Sequence, residues 1–160
     1  MAVQTLAELY DAYGARLYRY AVLVLADRAA AEDAVQEVFV KVAPMLDDAT
    51  TSITFAYLAA SVRNTCYSML RRTRVRAGAT EPLIEPVAPG STEEERMVID
   101  DALRTLPAEQ REVVYLKVFE GLTFQEIADR CGVSINTAAS RYRYATQTLR
   151  RVLGPGDQAC

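Results

Sequence analysis

The sequence predicts an all-α protein made of two small helical domains joined by a Pro-rich linker, with a helix-turn-helix in the second domain. Apolar residues recur at intervals of three and four over most of the chain, as they do on one face of an α-helix. Pro82, Pro86 and Pro89 interrupt this periodicity near the middle. Residues 123–149 contain two helix starts separated by a glycine turn.

These observations divide the 160 residues into four parts: a first domain at 1–76, a linker at 77–92, a helix-turn-helix domain at 93–153 and a disordered tail at 154–160. The hydrophobic content of 51% is enough for packed cores, and no apolar run approaches the ~20 residues that span a bilayer. The N-terminal residues lack the basic and apolar regions of a signal peptide. We therefore expect a cytoplasmic protein without membrane insertion.

The chain contains three cysteines and no histidine. Cys66, Cys131 and Cys160 do not have the spacing of metal ligands, and the sequence offers no neutral-pH imidazole base. We expect buried thiols at the first two positions and an exposed one at the third. The sequence thus predicts no metal site, no cofactor, no small-molecule substrate and no catalytic residues.

Charge is segregated along the chain, although the net charge is only −3. Residues 1–48 carry eight acidic and four basic side chains, whereas residues 53–76 carry five arginines and no acid. A local excess of positive charge favours contact with phosphates even when the whole chain is acidic. The pattern is compatible with one surface for an acid-seeking partner and another for nucleic acid.

The first domain is predicted to contain helices at about 3–25, 29–43 and 52–74. Asp27 can cap the second helix, and Pro44 stops or kinks it. Glu32, Asp33, Gln36 and Glu37 give this helix an acidic face, for which solvation is the simpler interpretation on spacing alone.

The third predicted helix buries an apolar line and carries a basic and aromatic line beside it. Arg63, Tyr67, Arg71 and Arg74 recur at intervals of four, four and three. Arginines attract phosphate while an interleaved tyrosine can stack on an unpaired base, so this line fits melted DNA. A basic solvent face with a half-buried tyrosine explains the spacing equally well.

In the second domain, Thr92 with Glu95 predicts a helix start that leads to Val98, Ala102 and Leu103. The next helix is expected at 107–120, with Pro107 in its first turn and Gly121 at its end.

The helix-turn-helix itself begins at a capping box of Thr123 and Glu126. Gly132 supplies the positive φ of the turn, and Ser134 caps the second helix. Ala138, Tyr142, Ala145, Leu149 and Val152 form the predicted inward stripe of that helix. The remaining face is polar and basic, which suits a recognition helix in a major groove, although helix, Gly, helix alone also fits an ordinary hairpin. Its candidate DNA contacts are Asn136, Thr137, Ser140, Arg141 and Arg143.

With both halves placed, the sequence resembles the extracytoplasmic-function (ECF) sigma factors of bacterial RNA polymerase, in the sigma-70 family. The resemblance covers nearly all of residues 4–153. It is most specific at AEDAVQEVF, residues 31–39, and is close at LPAEQREVVYLKVFEGLTFQEIA, residues 106–128. It implies a sigma region 2-like first domain and a region 4-like second domain, and it favours a partner site over a solvated face on the acidic helix.

The resemblance also implies roles for individual residues. Those expected to bind core polymerase are Asp33, Gln36, Glu37 and Phe39. Those expected at the minus-ten promoter element are Tyr57, Arg63, Asn64, Tyr67 and Arg71, with the loop before their helix capturing a base flipped from the opened strand. The five candidates on the recognition helix would read the minus-thirty-five element as duplex. An anti-sigma factor is a possible further partner.

Several positions depart from the family pattern. Ala43 and Tyr57 stand where tryptophans are usual, Ser68 replaces a common acidic residue, and Ala138 and Ala139 replace a larger aliphatic and a basic residue. Polymerase binding is therefore better supported than strong promoter melting. Three alternatives stay open: a helix-turn-helix regulator that never joins the polymerase, an enzyme such as a nuclease or recombinase, and a sigma-like protein that acts mainly through a sequestering partner.

Overall fold

The structure, a computed structural model, describes residues 4–72 and 90–154. These residues contain seven α-helices and no strand, which confirms the predicted all-α class. The chain folds as two compact units, one within Met1–Glu81 and the other within Pro82–Cys160. Most of the predicted linker and tail lies outside the described residues, as do Arg74 and Cys160.

The first unit is built from three helices that pack on one another: α1 (Leu6–Leu25), α2 (Arg28–Val42) and α3 (Phe55–Arg72). A short 3-10 turn, Ala43–Asp47, follows α2 and contains Pro44. Because proline lacks an amide hydrogen, Pro44 does not continue α2, and the 3-10 turn takes the place of a further α-helical turn. The side chains that fill this core are buried: Leu17, Leu23, Val24, Val38, Val42, Leu58, Val62 and Cys66.

Two helix starts in this unit differ from the prediction. Helix α1 begins at Leu6 rather than at residue 3, because Thr5 and Glu8 form a capping box in which each side chain bonds the other's backbone amide. Helix α3 begins at Phe55 rather than at residue 52, since the Thr54 hydroxyl accepts the amide hydrogen of Tyr57 at the helix start. The Asp27 cap of α2 is confirmed by its bond from the Ala30 amide.

The second unit contains α4 (Glu93–Arg104), α5 (Ala108–Val114), α6 (Phe124–Cys131) and α7 (Ile135–Leu153). Helix α7 packs on the other three. Both predicted capping boxes form, at Thr92 with Glu95 and at Thr123 with Glu126. The core side chains of this unit are Ala102, Leu103, Val113, Leu116, Ile127, Ala128, Ala138 and Ala145.

The helix predicted at 107–120 is two segments. After α5 the backbone widens into a π-helical turn, Tyr115–Phe119, in which the Glu120 amide bonds the Tyr115 carbonyl. Pro107 precedes α5 instead of lying in its first turn, and Gly121 has a φ of 68° after the π-turn. The wider turn leaves Val118 and Phe119 exposed on the surface.

Some predicted apolar positions face solvent. Val98 is exposed on α4 although Ala102 and Leu103 are buried, and Val152 is exposed at the end of the α7 stripe. Cys66 and Cys131 are buried, as expected. Among the described residues, none of the helices combines the length and apolar character that a membrane span requires.

Candidate functional site

Helix α2 presents an acidic face whose orientation is fixed by its buried side. Val35, Val38 and Val42 are buried on one side of the helix, so Asp33, Gln36 and Glu37 project to solvent on the other. Among the described residues, no basic side chain pairs with Asp33 or Glu37. The two carboxylates therefore remain available to a basic partner.

The fourth predicted polymerase-binding residue, Phe39, does not reach this face. Its side chain is only 5% exposed, and the Tyr10 ring of α1 lies edge-on to it at a centroid distance of 5.3 Å. Phe39 thus supports the α1–α2 packing beneath the surface. A direct contact between Phe39 and a partner stays a prediction.

A further exposed residue lies at the C-terminal end of the α2 face, beyond the residues predicted from the sequence. Val40 is 72% exposed, the largest fraction among the exposed large hydrophobic side chains of the described chain. It follows Asp33 by seven residues, nearly two helical turns, so the two lie on the same line, with Gln36 and Glu37 beside it. In the sequence, Val40 is recognisable as an apolar residue at a position of α2 that the helical period turns away from the buried side.

Helix α3 gathers all five predicted minus-ten residues on its accessible side. Tyr57, Asn64 and Arg71 are spaced by seven residues, so they form one exposed line along the helix. Arg63 and Tyr67 lie beside this line, with the guanidinium carbon 4.5 Å from the ring centre. The arrangement combines two cations, two aromatic rings and an amide, a set that can bind phosphates and stack on bases.

The loop between the 3-10 turn and α3, residues 48–54, is held at both ends. At its start the Asp48 carboxylate accepts the Thr50 amide at 2.9 Å and the Thr50 hydroxyl at 2.7 Å. The Thr50 hydroxyl, followed by the Thr50 amide, lowers the pKa of Asp48. At its end Ile53 is buried, and the Gln4 side chain bonds both of its backbone groups.

In the second unit, the turn between α6 and α7 has the predicted conformation. Gly132 has a φ of 67°, which lets the chain leave α6 sharply. The Ser134 oxygen accepts the Thr137 amide at 3.1 Å and caps α7. Beneath the turn, the Cys131 thiol donates to the fully buried Glu112 carboxylate at 3.2 Å, tying α6 to α5.

The five predicted recognition residues lie outside the buried line of Ala138 and Ala145, but they spread over a wide arc of α7. Arg141 borders that line, three residues after Ala138 and four before Ala145, whereas Asn136 and Arg143 lie on the far side of the helix. Asn136 and Arg143 are exposed, whereas Thr137, Ser140 and Arg141 are half-buried. The Thr137 hydroxyl already makes one hydrogen bond within the protein, because its oxygen accepts the Ser134 hydroxyl hydrogen at 2.9 Å.

Arg141 has an unfilled donor. Its Nη1 is shielded from solvent and has no hydrogen-bond partner among the described residues. A buried donor without a partner is costly, so this guanidinium gains from a conformation in which it bonds an acceptor. Arg143, two residues further on, projects from a different side of the helix, and its guanidinium carbon lies 5.3 Å from the ring centre of the exposed Tyr144.

Comparison with known proteins gives matches to both units. Residues 9–76 match the family Sigma-70 region 2, and residues 96–149 match the family Sigma-70, region 4.

Two curated relatives are similar over most of their length. The ECF RNA polymerase sigma factor SigL of Mycobacterium tuberculosis is 34% identical over 155 residues, which cover 91% of this chain and 86% of SigL. The ECF RNA polymerase sigma factor SigK of Mycobacterium bovis (strain BCG) is 31% identical over 158 residues, covering 92% of this chain and 84% of SigK.

A solved structure is similar over nearly the whole chain. The sigma factor RpoE of Bartonella quintana, in a co-crystal structure with the anti-sigma factor NepR, has a TM-score of 0.70 and 27% sequence identity. The similarity covers 95% of this chain and 97% of that chain.

Proposed function

The chain belongs to the ECF RNA polymerase sigma factors of the sigma-70 family, and we propose that it binds core polymerase through α2 and promoter DNA through α3 and α7. It is thus a promoter-specificity factor that takes part in transcription initiation. The alternative of a DNA-binding regulator that never joins the polymerase is not favoured, because the region 2 match, residues 9–76, covers most of the first unit.

The observation that carries the proposal is the division of the first unit into two different accessible faces. Helix α2 offers unpaired carboxylates and, at the C-terminal end of the same face, an exposed valine, whereas α3 offers arginines beside tyrosines. An acidic face with an exposed apolar residue fits a basic protein partner, because protein interfaces combine apolar and polar contacts. A basic and aromatic face fits single-stranded DNA.

The proposed mechanism is binding, with no covalent chemistry in this chain. The α2 face fixes the factor on the polymerase, and α7 sets the register on the duplex minus-thirty-five element through Asn136, Arg141 and Arg143. The face of α3 holds separated strands, while loop 48–54 receives a base that has left the stack. Because unstacking a base costs a few kcal/mol, its capture is the step at which binding energy favours promoter opening.

We propose two further properties by analogy with the relatives. The solved structure of RpoE is a complex with an anti-sigma factor, and an inhibitor of that class would suit this chain because it could cover the same accessible faces. We also expect the protein to act in the cytoplasm, where core polymerase and promoter DNA are found.

The α2 contact is tested by measuring binding of the full chain to purified core polymerase. Glu37→Arg reverses the charge of an exposed, unpaired carboxylate, so we expect at least a hundredfold weaker binding, about 2.7 kcal/mol. The matched control is Glu94→Arg on α4, also an exposed glutamate on a helix, which should leave affinity within a factor of about two. Equal affinity of the Glu37→Arg and wild-type proteins would contradict the proposed contact.

A further inference from the structure

The side chain of Gln4 makes a paired contact with a backbone segment 49 residues away. Its Nε2 donates to the Ile53 carbonyl at 3.2 Å, and its Oε1 accepts the Ile53 amide at 2.8 Å. An amide side chain that exchanges both bonds with one residue imitates the paired bonds between neighbouring β-strands. Gln4 therefore fixes the orientation of this peptide segment, and not just its distance from α1.

The bonded residue is the inner anchor of loop 48–54. Ile53 is 3% exposed, and Gln4 is the hydrogen-bond partner of both its backbone groups among the described residues. On either side of this anchor the loop is accessible: Ser52 and Thr54 are exposed, and Thr51 is half-buried. Hydroxyl groups of this kind can donate to or accept from the edge of a base.

From this geometry we propose that Gln4 is a positioning residue for promoter recognition: its clamp on Ile53 holds loop 48–54 in the shape that receives an unstacked promoter base. The inference rests on the proposed function of the loop and adds the residue that prepares it. Gln4 does not touch DNA in this account. It acts by setting where the hydroxyls beside Ile53 point before the base arrives.

The physical reason is preorganisation. A loop that must be ordered when it binds loses conformational freedom at that moment, and the loss is subtracted from affinity. With the Asp48 turn at one end and the Gln4 clamp at the other, loop 48–54 is ordered before binding. Removal of the clamp should therefore lower discrimination between bases at the captured position, while contacts made elsewhere on the promoter are retained.

The test compares holoenzymes made with wild-type protein, Gln4→Met and Gln4→Glu. Methionine keeps the length and the apolar body of the side chain but makes neither bond, whereas glutamate keeps the acceptor for the Ile53 amide and loses the donor. Gln110→Met on α5 is the matched control, because it removes an amide from a half-buried position in the second unit, outside the faces proposed on α2, α3 and α7. Open-complex formation is measured on a promoter with each base of the minus-ten element replaced in turn.

We expect Gln4→Met to reduce discrimination about tenfold at one base position, within the range that a mismatched base normally gives. Gln4→Glu should lie between Gln4→Met and wild type, and Gln110→Met should match wild type. Affinity for core polymerase should change by less than a factor of about two. Amide hydrogen exchange at Ile53 should become at least about tenfold faster in Gln4→Met, because the amide loses its acceptor.

Two results would overturn the proposal. Unchanged discrimination in Gln4→Met, with faster exchange at Ile53, would show that the clamp does not prepare the loop for DNA. An equal loss at all base positions together with lost polymerase binding would assign Gln4 to general folding. If the wild-type protein binds the polymerase but the resulting holoenzyme does not discriminate between bases at any minus-ten position, the proposed base capture itself fails. This failure is visible before any variant is compared.

Discussion

The guanidinium carbon of Arg63 lies 4.5 Å from the centre of the Tyr67 ring, so a cation and an aromatic ring form one unit on the accessible side of α3. This contact orders two side chains one helical turn apart. A base that stacks on the tyrosine would place its phosphate close to the arginine. The pair thus combines attraction of the DNA phosphate by Arg63 with stacking of a base on Tyr67 at a single place on the helix.

Replacement of Tyr67 by alanine should weaken binding of the holoenzyme to a promoter fragment whose minus-ten element is single-stranded. The expected loss is about 1–3 kcal/mol, the usual contribution of base stacking on an aromatic ring. Tyr67→Phe keeps the ring and should retain most of the affinity. The contact is refuted if the alanine variant binds this fragment as tightly as the phenylalanine variant does.

Val40→Asp should weaken binding to core polymerase although the substitution disturbs no buried contact. A valine that becomes buried on binding contributes about 1.5–3 kcal/mol, and a carboxylate in its place must be desolvated. We expect at least a tenfold higher dissociation constant. Val98→Asp, at another exposed valine on α4, is the control and should bind like wild type. If both aspartates have the same small effect, Val40 lies outside the interface.

Arg141→Ala should weaken binding to a duplex minus-thirty-five element by about 1–3 kcal/mol and relax preference at one base pair. The Nη1 of Arg141 has no hydrogen-bond partner among the described residues, which is consistent with a bond to an acceptor on a base. A titration over a set of duplexes with single base-pair changes measures both effects. Arg151→Ala, near the other end of α7, should leave base preference unchanged. A uniform loss across all duplexes would assign Arg141 to phosphate contact instead.

The capping box of α6 predicts a dependence of stability on pH. The Thr123 backbone amide, with a smaller effect of its hydroxyl, lowers the pKa of Glu126 from its ordinary value of 4.5. A carboxylate with a lower pKa in the folded state adds stability above its unfolded pKa and loses it as pH falls through its folded pKa. Wild type should therefore exceed Glu126→Gln in free energy of unfolding at pH 7, and the difference should shrink in acid. Denaturant unfolding of both proteins at pH 7 and in acid gives the difference in free energy of unfolding. A difference that does not change with pH would contradict a stabilising role for the ionised Glu126.

Local signals predicted most of the helix boundaries. The boxes at Thr92 and Thr123 involve residues three apart, so their pattern is visible in the sequence and forms as expected. The same pattern at Thr5 and Glu8 starts α1 at Leu6, three residues later than the apolar periodicity alone predicts. The π-turn after Val114 was not predictable in this way, because its residues are as compatible with an α-helix as with a wider turn.

In the candidate site as well, some features follow from the local sequence pattern and others depend on contacts between distant residues. The outward placement of Asp33, Gln36 and Glu37 follows from helical periodicity once the buried side of α2 is known. Phe39 belongs to the same motif, but its position on α2 turns its ring towards Tyr10. The bonds between Gln4 and Ile53 join residues far apart in the sequence, and no periodicity or spacing rule connects them. Contacts of this kind depend on how α1 packs against α3.

The most direct test of the central claim is transcription by sigma-free core polymerase, with and without the purified protein, on a library of fragments from the source genome. Sequencing of the transcript ends identifies every start. We expect starts that occur only when the protein is present and that share two spaced upstream elements. A sigma-factor function would be contradicted if the polymerase bound the protein and no new starts were found, or if the starts shared no upstream element.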